Sequence, residues 1–366
     1  MNPQPSFCPR ITCPSRGVIG AGNLRVHHDR RNRWRCTVCN QTFSGRKGTP
    51  FYGLKTDEQV VVWVLSLLSS GCPLQAIVAT FGLDERTVAD WQKRAGQHCE
   101  GVHNALVQTP QNLQQVQADE IRVRCQKRVV LWMAMALCVS TRLWLGGVVS
   151  KSRDKHLAKA LAHKVKACAA LGALLIVTDG WIAYKDAFVK AFRSPIYTGQ
   201  PGRPFLLHWP HFVLAQTVKW QQAGRTLGIR VCHLLGDTTQ IARLLPEGQV
   251  LNTAYSERLN GTFRQRLCGL CRRTRCLLRS EDSLSTRMYL VGGVYNFCTP
   301  HQSVSQKGQP KTPAMAAGLT KHIWSVGELL AYQLAPPPYV APKKRGRPPG
   351  KKADQQHKGD KQWVTV

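Results

Sequence analysis

The chain has 366 residues, with 51 Lys+Arg against 20 Asp+Glu, a formal charge of +31 and 43% apolar residues. That apolar fraction suffices for a sizeable core and excludes a chain disordered throughout, and the length predicts about two or three domains. Such a charge repels itself in the compact state unless a polyanion neutralises it, so nucleic acid is the expected partner. The longest apolar run, 129–139, is too short to span a bilayer and soon reaches Arg142, so no membrane association is expected.

Residues Met1–Ser6 show no charged region leading into an apolar stretch, so no secretion signal is expected and the chain is read as cytoplasmic. In a reducing compartment the 14 cysteines are expected to bind metal where closely paired, before they form disulfides. Residues 1–50 are basic and poor in apolar periodicity, and contain Cys8-x4-Cys13 and Cys36-x2-Cys39. Four thiolates from two such knuckles can close a tetrahedral Zn²⁺ site, which predicts a structural zinc ribbon. His27 or His28 is the alternative for one ligand.

Residues 51–103 turn helical. Val60, Val61, Val64, Leu65 and Leu68 recur at three- and four-residue steps, and 73–81, Gly82-Leu83-Asp84 and 85–97 follow with helix–turn–helix rhythm. Val88 is expected inside, and the second helix is expected to expose Arg86, Gln92, Lys93 and Arg94 to DNA, where Gln and Arg read base edges and Lys holds phosphate. The Gln-rich stretch 104–118, with Pro110, reads as a linker.

From Asp119 the chain becomes strand-like. Segments 129–139 and 143–149 read as strands, 154–170 as an amphipathic helix, and 173–177 as a buried strand ending at Asp179-Gly180, which together predict an α/β sheet. Residues 255–267 return to helical spacing, with Leu259, Phe263 and Leu267 on the apolar face and Glu257, Gly261 and Arg264 on another. Asp119, Asp179 and Glu257 therefore stand out, with Glu120 as the rival of Asp119. Converging carboxylates need cations between them, and such oxygen sites suit two Mg²⁺ or Mn²⁺ ions in phosphoryl transfer.

Several motifs occur in a fixed order. They are Trp34–Phe43, Gln117-Ala118-Asp119-Glu120-Ile121, Val177-Thr178-Asp179-Gly180, Ala254-Tyr255-Ser256-Glu257-Arg258-Leu259-Asn260-Gly261-Thr262-Phe263-Arg264, Arg272–Arg275, Tyr295–His301 and Thr312–Leu319. Together these resemble the DDE transposases of bacterial insertion sequences, of the IS-one type, over roughly residues 8–330. The resemblance implies a ribonuclease H-like, retroviral-integrase-type mixed sheet with flanking helices in a catalytic domain of residues 119–300. It implies that Asp119, Asp179 and Glu257 bind the two divalent metals and that Asn260 and Arg264 lie beside the DNA backbone. It also implies a nucleoid-associated enzyme that binds the element's terminal inverted repeats, cleaves and transfers DNA strands, and works as a homodimer or larger synaptic complex.

Cys268, Cys271 and Cys276 depart from that pattern. With Cys298 or His301 they are candidates for a second zinc site, although plain packing is the simpler reading, as a turn is for His208-Trp209-Pro210-His211. After an arm over 301–335, the tail 336–366 is basic, expected to be disordered, and contains Lys343–Lys352. There Arg345, Gly346, Arg347 and Pro348 resemble an AT-hook, whose arginines enter a narrow minor groove. The competing expectations are a non-catalytic DNA-binding regulator that retains the transposase fold, and a ribonuclease H-like nuclease acting on RNA–DNA hybrids.

Overall fold

The computed structural model describes residues 7–341 except 198, 200–201, 224, 246–249, 272–275, 277 and 307. The AT-hook-like segment with Arg345, Gly346, Arg347 and Pro348 lies outside the described residues. An N-terminal antiparallel sheet is made by β1 (Leu24–His28), β2 (Arg33–Cys36) and β3 (Thr42–Ser44). Its small core is Cys8, Cys13, Cys36 and Phe43, so apolar burial alone gives this segment little cohesion.

Three helices follow: α1 (Glu58–Ser69), α2 (Leu74–Phe81) and α3 (Glu85–Leu106). Asp57 caps α1 by accepting from Gln59 N–H, and Asp84 caps α3 by accepting from Arg86 and Thr87 N–H. Gly82 ends α2 in the left-handed region, at φ 64°, which a residue without Cβ adopts freely. α3 runs to Leu106, well beyond the 85–97 expected for a second short helix. The cause is its far half, where Cys99, Val102 and His103 are buried in the core of the larger sheet domain.

The main sheet has six strands in the order β11-β10-β7-β4-β5-β6. They are β4 (Gln115–Arg124), β5 (Val130–Cys138), β6 (Trp144–Ser150), β7 (Leu174–Asp179), β10 (Phe212–Gln222) and β11 (Arg225–Leu235), and β8 (Arg193–Ile196) pairs β9 (Phe205–His208) in a separate ribbon. β4, β7 and β10 run parallel, and the pairs β4/β5, β5/β6 and β10/β11 run antiparallel, which makes a mixed α/β sheet. The strands expected over 129–139, 143–149 and 173–177 are β5, β6 and β7. β4 begins at Gln115, ahead of the start expected at Asp119, so that acid sits within the strand.

Helices α4 (Lys155–Cys168), α5 (Ile182–Ala191), α6 (Thr238–Leu244), α7 (Ala254–Arg266) and α8 (Glu281–Gly293) flank the sheet. α3 crosses α8 so closely that a Cβ on Gly96 would collide with the Thr286 carbonyl oxygen. One continuous core joins α1 and α3 to the sheet. No helix among the described residues is long and apolar enough to cross a membrane.

Candidate active site and metal centre

β4 and β7 are neighbours in parallel register, with Ala118 opposite Thr178. The next residue on each strand, Asp119 and Asp179, therefore lies at the same end of the sheet, where an open parallel sheet places its ligands. Strand alternation sends Asp119 towards α7 and Glu120 towards α5. The side-chain oxygens of Asp119, Glu120 and Asp179 nevertheless lie within 4.8 Å of one another, one of two such potential ligand groups among the described residues.

Their surroundings separate the two rival acids. Glu120 accepts from Arg153 Nε at 2.7 Å and from Tyr184 Oη at 2.9 Å, and the Arg153 guanidinium also lies 3.8 Å from Asp179. Glu120 is thus bound to partners of its own. Asp119 accepts from Asn260 Nδ2 at 2.8 Å and from Glu120 N–H at 2.8 Å. Burial, and then the nearby charges of Asp179, Glu120 and Glu257, push the Asp119 carboxyl up to about 7, a strain that an added cation would relieve. Burial also raises Asp179, against the pull of the Trp181 N–H and Arg153.

Glu257 is near enough to act on Asp119 but stands outside the three-acid group, with Oε1 2.6 Å from Lys219 Nζ on β10. Its helix is held by a residue that the sequence reading did not single out as a positioning group, Gln117. This side chain is 1% exposed; Oε1 accepts from the N–H groups of Tyr255 and Ser256, each at 3.0 Å, and Nε2 donates to the Asn252 carbonyl at 2.7 Å. Thr253, at the N-cap of α7, provides no side-chain cap, so an amide from β4 satisfies those free helix donors instead. The signal available in the sequence was a polar residue two positions before Asp119, on the same strand face. Arg264 and Gly261 are exposed, while Asn260 is buried beside Asp119.

In the N-terminal sheet, Cys8, Cys13, Cys36 and Cys39 form the second group, with sulfurs within 4.8 Å. The Cys8–Cys39 and Cys13–Cys36 Sγ separations are both 3.8 Å. Four sulfurs each about 2.3 Å from a central ion in a tetrahedron are about 3.8 Å apart, so the spacing fits zinc. Burial raises Cys8 and Cys13. At Cys36 burial is outweighed by the N–H groups of Cys39 and Val38 and by the neighbouring thiols, which bring it to about 7. Asn23 Nδ2 also donates to Cys36 Sγ at 3.1 Å. Neither His27 nor His28 belongs to the group.

On α3, Arg86, Lys93 and Arg94 are exposed, with Lys93 3.1 Å from Asp282 and Arg94 2.7 Å from Asp90. Gln92, expected among the exposed residues, is instead 7% exposed, because α3 turns that side towards a cavity lined also by Leu68, Leu74, Arg266, Leu267 and Arg287. Cys268, Cys271 and Cys276 do not form a ligand group among the described residues, and Cys271 Sγ donates to the Arg264 carbonyl at 3.1 Å.

Neither a family model nor a curated protein matches this chain. The candidate site therefore rests on its own chemistry.

Proposed function

We propose that the chain is a divalent-metal-dependent DNA transposase with a ribonuclease H-like core, a zinc ribbon and a helix–turn–helix unit. The observation that carries this reading is the meeting of Asp119 and Asp179 on neighbouring parallel strands, with Glu257 on a helix pinned to the same strand by Gln117 and Asn260. The donor set fits hard cations: carboxylate oxygens crowd together, and Asn260 Oδ1 is a buried acceptor with no hydrogen-bond partner among the described residues. Asp119, Asp179 and Glu257 would hold two Mg²⁺ or Mn²⁺ ions. Bound there, such ions lend Lewis acidity to the attacking and leaving oxygens of an in-line displacement at phosphorus.

The chain's own residues do the rest. Asn260 fixes the Asp119 carboxylate in orientation, and Arg153 offsets Glu120 so that one acid fewer competes for charge. Lys219 and Arg264 present cations beside the acids to the DNA backbone, whose phosphates dominate affinity. Arg86, Lys93 and Arg94 of α3 engage the ends of the element, and two copies bring two ends together. Water attacks in strand cleavage, and the freed 3′-hydroxyl attacks in strand transfer.

The test is Mg²⁺- or Mn²⁺-dependent cleavage and joining of DNA bearing the sequences that flank the gene. Asp119→Asn and Glu257→Gln are expected to lose at least about a hundredfold in rate, since each ligand supports several kcal/mol of charge stabilisation, while still binding the DNA. Wild-type protein that binds those ends and cleaves nothing with either metal would make a non-catalytic regulator the better reading. Preference for RNA–DNA hybrid over duplex would favour a nuclease.

A further inference from the structure

Two glutamates stand beside the Asp119–Asp179 pair, and each is neutralised by a cation of its own. Glu120 belongs to the three-acid group and ion-pairs with Arg153, whereas Glu257 lies outside that group and ion-pairs with Lys219. Asp119 and Asp179 are therefore common to two sets of three carboxylates, one completed by Glu120 and the other by Glu257. By distance alone the set with Glu120 is the closer. The cations decide between them, because a carboxylate already engaged by a guanidinium has less charge and fewer lone pairs to offer a metal.

The two ion pairs differ in how firmly they are held. Arg153 directly precedes Asp154, the N-cap of α4, whose carboxylate accepts from His156 and Leu157 N–H and fixes the backbone there. The Arg153 guanidinium meets Glu120 Oε1 through both Nε and Nη2, and its Cζ lies 4.6 Å from the Trp181 ring centroid and 5.3 Å from that of Trp132. Tyr184 Oη donates to the other Glu120 oxygen, and the Glu120 side chain is only 3% exposed. Arg153 cannot leave without stranding a buried carboxylate. Lys219 meets Glu257 at Oε1 with side chains 48% and 50% exposed, two residues beyond Thr217, where β10 stops pairing with β7. A half-exposed pair of this kind is worth little, so Lys219 gives up Glu257 readily.

We propose that Arg153 is a positioning residue that selects the metal ligands: by holding Glu120 it leaves Glu257 as the third carboxylate beside Asp119 and Asp179. The proposal rests on the divalent-metal reading of the site. Asn260 supports the same choice, since it is 3% exposed, binds Asp119 from the helix that carries Glu257, and keeps Oδ1 without a hydrogen-bond partner among the described residues. The unused acceptor thus lies on the α7 side of Asp119, away from Glu120. Without Arg153, Glu120 completes the site on the α5 side and Glu257 stays with Lys219, so the metal is held more tightly and serves cleavage less.

The experiment uses the full chain and reads Mn²⁺ affinity by calorimetry beside cleavage of DNA bearing the flanking sequences. In the wild-type background Glu257→Gln is expected to lose about tenfold in Mn²⁺ affinity and Glu120→Gln less than about threefold. Arg153→Ala is expected to bind Mn²⁺ about tenfold more tightly and to cleave about tenfold more slowly. In that background the glutamates exchange roles, so that Glu120→Gln costs about tenfold and Glu257→Gln less than about threefold. Arg153→Lys keeps the charge and is expected to recover part of the wild-type pattern. Weaker Mn²⁺ binding by Arg153→Ala, with the order of the two glutamates unchanged, assigns Arg153 a merely structural role and overturns the proposal while the metal reading stands. Should Arg153→Ala fail to fold, the wild-type background decides: a larger loss at Glu257 supports the selection, and a larger loss at Glu120 overturns it. Mn²⁺ binding that is absent, or indifferent to Asp119→Asn, overturns the metal reading and the proposal with it.

Discussion

Asn260 on α7 donates a 2.8 Å hydrogen bond to the Asp119 carboxylate on β4, across 141 positions of sequence. Two residues before Asp119, Gln117 accepts from the first turn of the same helix. The helix is thus clamped to the strand at both points, and Glu257, between the two clamps, inherits its position from them. The arrangement makes Gln117 a support of the acid site rather than a member of it.

Gln117→Ala leaves two helix N–H groups and the Asn252 carbonyl without a buried partner, each loss worth about 1–3 kcal/mol. Reduced thermal stability is expected, together with weaker Mn²⁺ binding by calorimetry. Gln117→Glu keeps the acceptor and loses the donor, so it is expected to recover part of the Mn²⁺ affinity. Mn²⁺ affinity unchanged in Gln117→Ala would show that Glu257 is placed without the clamp.

The N-terminal sheet has only Cys8, Cys13, Cys36 and Phe43 for a core, with Cys39 partly buried against them, so its fold should depend on the metal. Elemental analysis is expected to find about one zinc per chain, and Cys13→Ser to lose it. Asn23→Ala, which removes the N–H donor to Cys36 Sγ, is expected to weaken zinc binding about tenfold, as loss of an outer hydrogen bond does. Protein purified without zinc but with this segment protected from proteolysis would contradict the assignment.

His98 and His103 are buried, and the Nε2–H group of each donates to a backbone carbonyl, that of Leu329 and of Leu145 respectively. Burial, opposed only in part by those backbone bonds, lowers His98 to about 4; at His103 burial and Lys164 together lower it to about 3. A depressed folded-state value means that the unfolded chain binds protons first on acidification. Their contribution is therefore complete above about 6.5 and is lost as pH falls towards 4. Urea midpoints are expected to fall steeply between pH 6.5 and 4. His98→Gln should flatten part of that slope; an unchanged slope would show that His98 is protonated at little cost.

Gly96 lets α3 lie against α8, because a side chain there would meet the Thr286 carbonyl. Gly96→Ala should destabilise the protein by about 1–3 kcal/mol through overpacking, despite the better helix propensity of Ala. A denaturant midpoint at or above that of wild type would mean that the two helices can separate freely.

Much of the scaffold was legible locally. The apolar runs that became β5 and β7, the helix after Asp154, and the Gly82 turn all follow from periodicity, capping and left-handed backbone, which act over a few residues. On the side of α3 expected to face solvent, Arg86, Lys93 and Arg94 are exposed, but Gln92 is not. Gln92 carries a polar side chain at a position that neighbouring residues would leave in water, and packing among α1, α2, α7 and α8 buries it. The choice between Asp119 and Glu120 was likewise open, because adjacent strand positions are chemically alike until Arg153 and Tyr184 arrive on one side and Asn260 on the other.

The sequence by itself determined which residue types were available: paired thiols, three acids in separate segments, an excess of cations, and alternating patterns that build strands and helices. Those properties reside in short stretches of chain. The tertiary structure decided which acids meet, that Lys219 lies on Glu257, and that Gln117 caps a helix far along the chain. The physical reason is that burial, charge and hydrogen bonding act through space, and the pairing of β4 with β7 and the docking of α7 bring these groups within reach.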